Sequence, residues 1–363
     1  MSKWFSNRRK AFYHFIKAAR SVNLPQSLLH RVKSLGASSG PRRINIQAGG
    51  KVNHRHLEVA DHQVSFVARL SDSEHLRRAV DRILIPRVVG TRGHDQVRDF
   101  IIDAMEQLRW TVTTDVFQQE APGMGELQFE NIIATLNPNA ERFLLVACHY
   151  DSKHFPGEEF LGATDSAVPC AMLLNLAYTL REQLDALRQD DKLSLMYVFF
   201  DGEEAFEEWG PNDSIYGAKH LAEKWDQEGF LKRIDLLLLL DLIGAPDPKF
   251  YSFFKDTDHW YARLVLAEER LAMGNFLDSY TTSSAVGHRP ERYFQQYTTS
   301  MLVEDDHVPF MQREVPVLHL IPVPFPDCWH KMTDNREIID FNTVENINKV
   351  LRVFLLEYLN IGL

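Results

Sequence analysis

The chain has 363 residues, 45% of them hydrophobic and 25% charged: enough apolar material for a large core, at the charge density of a soluble globular protein. Its formal charge of -10 is unevenly spread, because residues 1–57 carry twelve Lys or Arg and no Asp or Glu, leaving 28 basic against 50 acidic residues, a net of -22, in the remainder. So acidic a body argues against a nucleic-acid partner, and no run of about 18 apolar residues is available to span a membrane.

The basic start reads as a targeting segment plus linker over residues 1–57. Arg8, Arg9, Lys10, Lys17 and Arg20 interleave with Trp4, Phe5, Phe12, Phe15 and Ile16 at near-helical spacing. An acid-free, Arg-rich, amphipathic opening is the mitochondrial transit pattern. The alternatives are a basic tail without an address and the secretory pathway. Three cysteines, Cys148, Cys170 and Cys328, are too few for a disulfide framework.

Helical spacing is expected over Glu74–Ile85 and Gly93–Leu108, then strands over Trp110–Gln118 and Phe129–Leu136. Three continuous apolar runs follow, Phe143–Cys148, Leu193–Phe200 and Ile234–Leu240, with helices expected over Ser166–Leu184 and Ser214–Gln227. A fourth run covers Val315–Leu320, and an amphipathic helix over Asn342–Leu359 closes the chain. Apolar runs alternating with helices predict an α/β fold, a mixed and mostly parallel central sheet with helices on both faces. Residues 58–363 read as a single catalytic domain, since no linker-like stretch divides them.

Ligands of such sheets sit beyond the carboxyl ends of the strands. His149, Asp151, Glu203, Glu204 and Asp241 all fall there, and Asp165, the Glu304–His307 cluster and His330 lie in loops. So many carboxylates on one rim repel unless a cation or protons relieve them. Carboxylate and imidazole donors without thiolate fit catalytic zinc; Mg²⁺ and Mn²⁺ tolerate the carboxylates, but the imidazole favours zinc. Adjacent Glu203 and Glu204 point different ways on an extended segment, which suits one for the metal and the other for proton transfer.

Seven segments carry a closer resemblance: ACHYDSK (147–153), GATDSAVPCAMLL (162–174), FFDGEEAF (199–206), DSIYGAKHLA (213–222), LLDLIGAP (239–246), EDDHVPF (304–310) and PVLHLIPVPFPDCWH (316–330). Together, in order and spacing, they resemble animal glutaminyl cyclases (glutaminyl-peptide cyclotransferases) over residues 75–360, on a zinc-aminopeptidase-like fold. The resemblance implies one zinc per chain, held by Asp165, Glu204 and His330, with Glu203 as the proton-transferring carboxylate. It implies Asp241 and Asp305 as acidic partners in catalysis, and Trp209, Phe325, Trp329 and His319 around the substrate. The implied substrates are peptides or proteins with N-terminal Gln, or Glu, and the expected state is a monomer. Cys148 and Cys170 match positions that pair as a disulfide in secreted members; an organelle-targeted, insect-like form would leave them reduced. Val303 and Glu304 stand where the secreted vertebrate enzyme has an uncharged pair. The alternative on the same fold is a dinuclear zinc aminopeptidase, its second metal at His149, Asp151 and Asp241.

Overall fold

The computed structural model describes residues 56–280 and 292–362, so all but the last two residues of the targeting segment and linker read over residues 1–57 lie outside the described residues. The chain enters through helices α1 (Asp61–Ala68), α2 (Ser73–Ile83) and α3 (Arg92–Gln107). The side chains of Asp72 and Thr91 cap α2 and α3 by accepting the amides of His75 and His94, which satisfies otherwise orphaned donors. A hairpin follows, β1 (Thr111–Ala121) and β2 (Gly125–Thr135). Then come β3 (Arg142–His149), α4 (Val168–Thr179), β4 (Leu193–Phe200), α5 (Tyr216–Gln227) and β5 (Ile234–Leu240). The chain ends with β6 (Phe250–Ser252), α6 (Asp258–Met273), β7 (Phe294–Thr298), β8 (Val317–Leu320) and α7 (Phe341–Tyr358).

Six strands form the main sheet in the order β1-β2-β4-β3-β5-β8. The pairs β4/β3, β3/β5 and β5/β8 are parallel, and the hairpin adds antiparallel strands at one edge. The expected mixed, mostly parallel sheet is therefore present. After β3 the chain moves to one side for β4, then crosses to the other side for β5. Such a reversal opens a crevice at the carboxyl ends of the strands, where no helix crosses over the sheet.

The continuous apolar runs are explained by cover on both faces. Leu144, Val146 and Cys148 of β3 and Leu236, Leu238 and Leu240 of β5 enter one core with α1–α4, α6 and α7. The alternate residues, Phe143, Leu145, Ala147, Leu237 and Leu239, enter a second core against Ala218, Leu221 and Trp225 of α5. Period-two alternation thus persists, with both sets apolar.

Three expectations change. The predicted helix Ser166–Leu184 begins only at Val168, because Asp165 (φ -121°, ψ 73°) and Ser166 (φ -127°, ψ 43°) are not helical. Helix α7 is buried all round rather than amphipathic. Its polar residues are partnered internally: Glu357 with Arg263 and Arg270, Arg352 with Glu345, and Lys349 with Asp278. Helix α6 is additional, although Trp260, Leu264, Ala267 and Leu271 carry helical spacing.

No helix among the described residues is long and apolar enough to cross a membrane. Leu238 lies in the middle of β5, fully buried between Val146 and Leu318. Leu238→Ala is expected to cost about 2–5 kcal/mol of folding stability, read as a lower midpoint in denaturant titration.

Candidate metal centre and active site

The carboxyl ends of β3, β4 and β5 deliver the acidic residues to one crevice. Backbone pairing extends the sheet past β3, where the Tyr150 amide donates to the Phe200 carbonyl at 2.9 Å. Asp151, buried in that extension, accepts the amides of Glu203 at 3.1 Å and Glu204 at 3.2 Å. It therefore shapes the turn that presents those two glutamates. The second-metal reading placed Asp151 among the ligands. The structure instead commits both its oxygens to backbone N–H groups; against its burial, the hydrogen bond and charge of His149, and then those amides, hold it below the usual carboxylate range.

Asp165, Glu204 and His330 converge. His330 Nε2 lies 3.4 Å from Asp165 Oδ2 and 3.4 Å from Glu204 Oε1. Those two oxygens are buried and accept no hydrogen bond. Ligands about 2.0–2.1 Å from a tetrahedral zinc stand about 3.3–3.4 Å apart, which is the spacing of the two pairs that share His330. Two orphaned carboxylate oxygens facing one imidazole are also what a cation would satisfy. Burial alone would lower the His330 proton affinity, yet the carboxylates of Glu204 and Asp165 push it up to about 9. The arrangement therefore demands positive charge at this point, as a proton or as a metal ion. His330 itself adopts a left-handed backbone (φ 53°), a cost of the kind that functional sites retain.

Around this set lies a positioning frame. Arg87, fully buried, directs its guanidinium at main-chain carbonyls: Tyr150 at 2.8 Å, Leu161, Gly162 at 3.1 Å and Asp165 at 3.2 Å. It ties the end of β3 to the loop carrying Asp165. Gly162 (φ +53°) is required there, since a Cβ would stand 2.2 Å from the Asp165 carbonyl oxygen. Lys153 donates to Glu204 Oε2 at 3.1 Å. Asp334 accepts the Thr164 amide at 2.9 Å and clips the His330 loop to the Asp165 loop.

A second grouping, His149, Asp165 and Asp241, is also close enough to share an ion. Here the donors are already committed. His149 faces Asp151 at 3.3 Å through Nδ1, and Asp165 at 3.1 Å and Asp241 at 3.5 Å through Nε2. Ser166 Oγ donates to Asp241 Oδ1 at 2.7 Å. A third grouping joins Asp305, His307 and His319, in which His319 Nε2 is 2.7 Å from Asp305 Oδ2. His319, 2% exposed, thus stands behind Asp305 rather than on an open wall.

The buried acids separate by proton affinity. Burial, together with the neighbouring charges of Glu204, Asp305 and Asp306, raises Glu203 well above its ordinary 4.5. Burial raises Asp241 to about 6, helped by the charges of Asp305 and Asp165. Burial also raises Asp306, whose carboxyl oxygens accept no hydrogen bond. Asp305 goes the other way: its hydrogen bond with His319 overcomes burial and holds it ionised.

The aromatic residues are placed unequally. Trp329 stacks on the His330 ring (centroids 4.3 Å, 27°) and is 40% exposed. Phe325 meets Trp329 edge-on at 5.0 Å. Trp209 is half-buried and donates its indole N–H to Glu304 Oε2 at 3.0 Å.

Residues 131–355 match peptidase family M28. The chain is 57% identical over 313 residues to a glutaminyl-peptide cyclotransferase of Drosophila melanogaster, covering 86% of this chain and 88% of that protein. The chain belongs to the glutaminyl-peptide cyclotransferases of family M28. A cyclotransferase of Bos taurus is 45% identical, over 80% of this chain and 83% of its own length. The crystal structure of the Macrostomum lignano glutaminyl cyclase superposes with a TM-score of 0.76 at 37% identity, covering 90% of this chain and 99% of that one.

The resemblance implies Asp165, Glu204 and His330 as one ligand set, and the structure brings the three within reach of a shared ion; the residues that position them carry no such expectation. Lys153 lay within a quoted segment without a role. The signal for Arg87 was a lone cation inside the apolar run Ile83–Val89. Lysine keeps that charge and loses the fork. Arg87→Lys is therefore expected to weaken metal binding about 10–100-fold, the usual cost of losing a group that orients a ligand. Competition against a chromogenic chelator reads this, with far-ultraviolet circular dichroism unchanged.

Proposed function

We propose that residues 58–363 act as one catalytic unit which holds a single zinc ion through Asp165, Glu204 and His330 and cyclises the N-terminal glutamine of peptides to pyroglutamate, releasing ammonia. The observation that carries this is the pair of orphaned oxygens facing His330, next to a buried glutamate of raised proton affinity. The bound ion would polarise the side-chain carboxamide carbonyl as a Lewis acid.

The chain's own residues supply the rest. Glu203, ionised, takes a proton from the substrate α-ammonium, whose pKa is about 8. A carboxylate with elevated proton affinity makes that transfer less uphill than an ordinary one. The freed amine attacks the carboxamide carbon of its own side chain, so binding need only orient one molecule. As the new C–N bond forms, the ring nitrogen passes its remaining extra proton to the ionised Asp241 carboxylate, from which it is released to solvent. Glu203 returns a proton to the amide nitrogen, the old C–N bond breaks and ammonia leaves. Asp305, kept ionised by His319, and Asp241 flank this transfer as acceptors. Trp329 and Phe325 form an aromatic wall that shields the site from water.

The grouping of His149, Asp165 and Asp241 favours a second reading, a two-metal aminopeptidase. The hydrogen bonds of His149 and of Ser166 to these carboxylates support one ion instead. Metal analysis is expected to return one zinc per chain, with ammonia and no free amino acid released from a Gln-initiated dipeptide; two zincs with free amino acid would establish the peptidase.

Glu203→Gln is expected to retain the metal and lose about 10²–10⁴-fold in turnover; full activity would remove the residue from its role. Glu203 works only when ionised. As pH falls through its raised value, kcat/KM is therefore expected to drop, with the acid limb above the ordinary 4.5. A pH–rate profile checks this.

The basic, acid-free residues 1–57 support a mitochondrial address for the enzyme, which a fluorescent C-terminal fusion would test, and light scattering would test the monomer.

A further inference from the structure

Segment 303–305 runs between the cluster that carries Phe325 and the Trp209 indole, and is pinned residue by residue. Val303 packs with Phe325 against the cluster of Leu242, Phe253 and Ile321. Asp305 turns inward and is fixed by His319 at 2.7 Å. Between them Glu304 remains half-buried, its Oε2 held by the Trp209 indole at 3.0 Å. One carboxylate is thus set between the Phe325 side and the Trp209 side.

The Trp209 contact supplies that carboxylate with no counter-charge. An indole N–H is a neutral donor and leaves the net charge in place. Among the described residues Glu304 makes no ion pair. Lys219 feels its field but gives its ammonium to the carbonyls of Pro211 at 2.7 Å and Ser214 at 2.6 Å. Glu207 and Glu208, both exposed just before Trp209, add charge of the same sign. If the α-ammonium and carboxamide of a substrate lie at the buried acids, between Trp209 and Phe325, its next side chain would emerge beside Glu304.

We propose that Glu304 sets the substrate class of the reaction, favouring peptides in which a cationic residue follows the N-terminal glutamine and disfavouring those with an acidic one. The proposal rests on the cyclase reading, and its test separates the two. Ammonia release from Gln-Lys, Gln-Ala and Gln-Glu dipeptide amides is measured with the zinc-loaded full chain at low and high ionic strength. At low salt kcat/KM is expected to be roughly tenfold higher for Gln-Lys than for Gln-Glu, with Gln-Ala between. About 1 M salt should bring that ratio near unity, because it shortens the reach of an exposed charge to about 3 Å. Glu304→Gln keeps an acceptor for the Trp209 indole and is expected to reduce the ratio to about two or less. A native enzyme without the preference, or a preference unchanged by salt or in Glu304→Gln, overturns the proposal while leaving the cyclase reading intact. No turnover of any of the three overturns both.

Discussion

Two buried carboxylate oxygens that point at one imidazole and accept no hydrogen bond are a repulsive arrangement unless something positive joins them. Asp165 Oδ2 and Glu204 Oε1 are in that position. Either His330 carries a proton or a cation takes its place, and the surrounding structure is organised to keep the three donors from relaxing apart. Asp151 uses backbone amides to fix the turn holding Glu203 and Glu204. Arg87 gathers four main-chain carbonyls, one of them that of Asp165. Asp334 joins the loop of His330 to that of Asp165. Each of these residues acts on backbone, which is the rigid way to hold a ligand whose own side chain must stay free for an ion.

The same burial sorts the acids by role. A desolvated carboxyl crowded by like charges gains proton affinity, and one whose imidazole or amide hydrogen bonds outweigh burial loses it. Glu203, Asp241 and Asp306 fall in the first group, Asp151, Asp165 and Asp305 in the second. Separation of this kind lets one crevice hold both a carboxyl that trades protons and carboxylates that stay charged. Glu203 and Glu204 are adjacent in sequence and still differ. Glu204 is turned toward His330 and Lys153, while Glu203 stands among the charges of Asp305 and Asp306.

Much of the fold was legible in the sequence, and the limits of that reading are physical. Strands β3, β4 and β5 stood out because both of their faces are covered, so their middles are apolar, with Ser194 and Asp235 confined to the second position of β4 and β5. Their carboxyl ends then identified the crevice. The apolar run after Ser166 read as one helix from its first residue, yet the chain turns non-helically through Asp165 and Ser166. Its contacts are to distant residues, with the Asp165 carbonyl held by Arg87, 78 residues away in sequence, and the Ser166 hydroxyl by Asp241, so the local sequence does not display it. Helix α7 read as amphipathic because Glu345, Lys349, Arg352 and Glu357 are charged; nothing local shows that Arg263, Arg270 and Asp278 meet those charges inside. From residue types alone, the ligand set remained open among five segments. The resemblance narrowed it, and the geometry brought Asp165, Glu204 and His330 together.

Asp151 shows why residue type underdetermines metal chemistry. A carboxylate two residues after a histidine at a strand end has the sequence appearance of a ligand. Its neighbours make it a backbone acceptor instead. The same reasoning bears on the choice between one ion and two on this sheet. His149, Asp165 and Asp241 offer the elements for a second site. An ion entering there would have to displace His149 from Asp165 and Asp241, and the Ser166 hydroxyl from Asp241, before gaining any bond. An ion entering between Asp165, Glu204 and His330 displaces at most one proton and satisfies two oxygens that had nothing. The metal count is therefore decided less by which ligands are present than by which are already spent on one another.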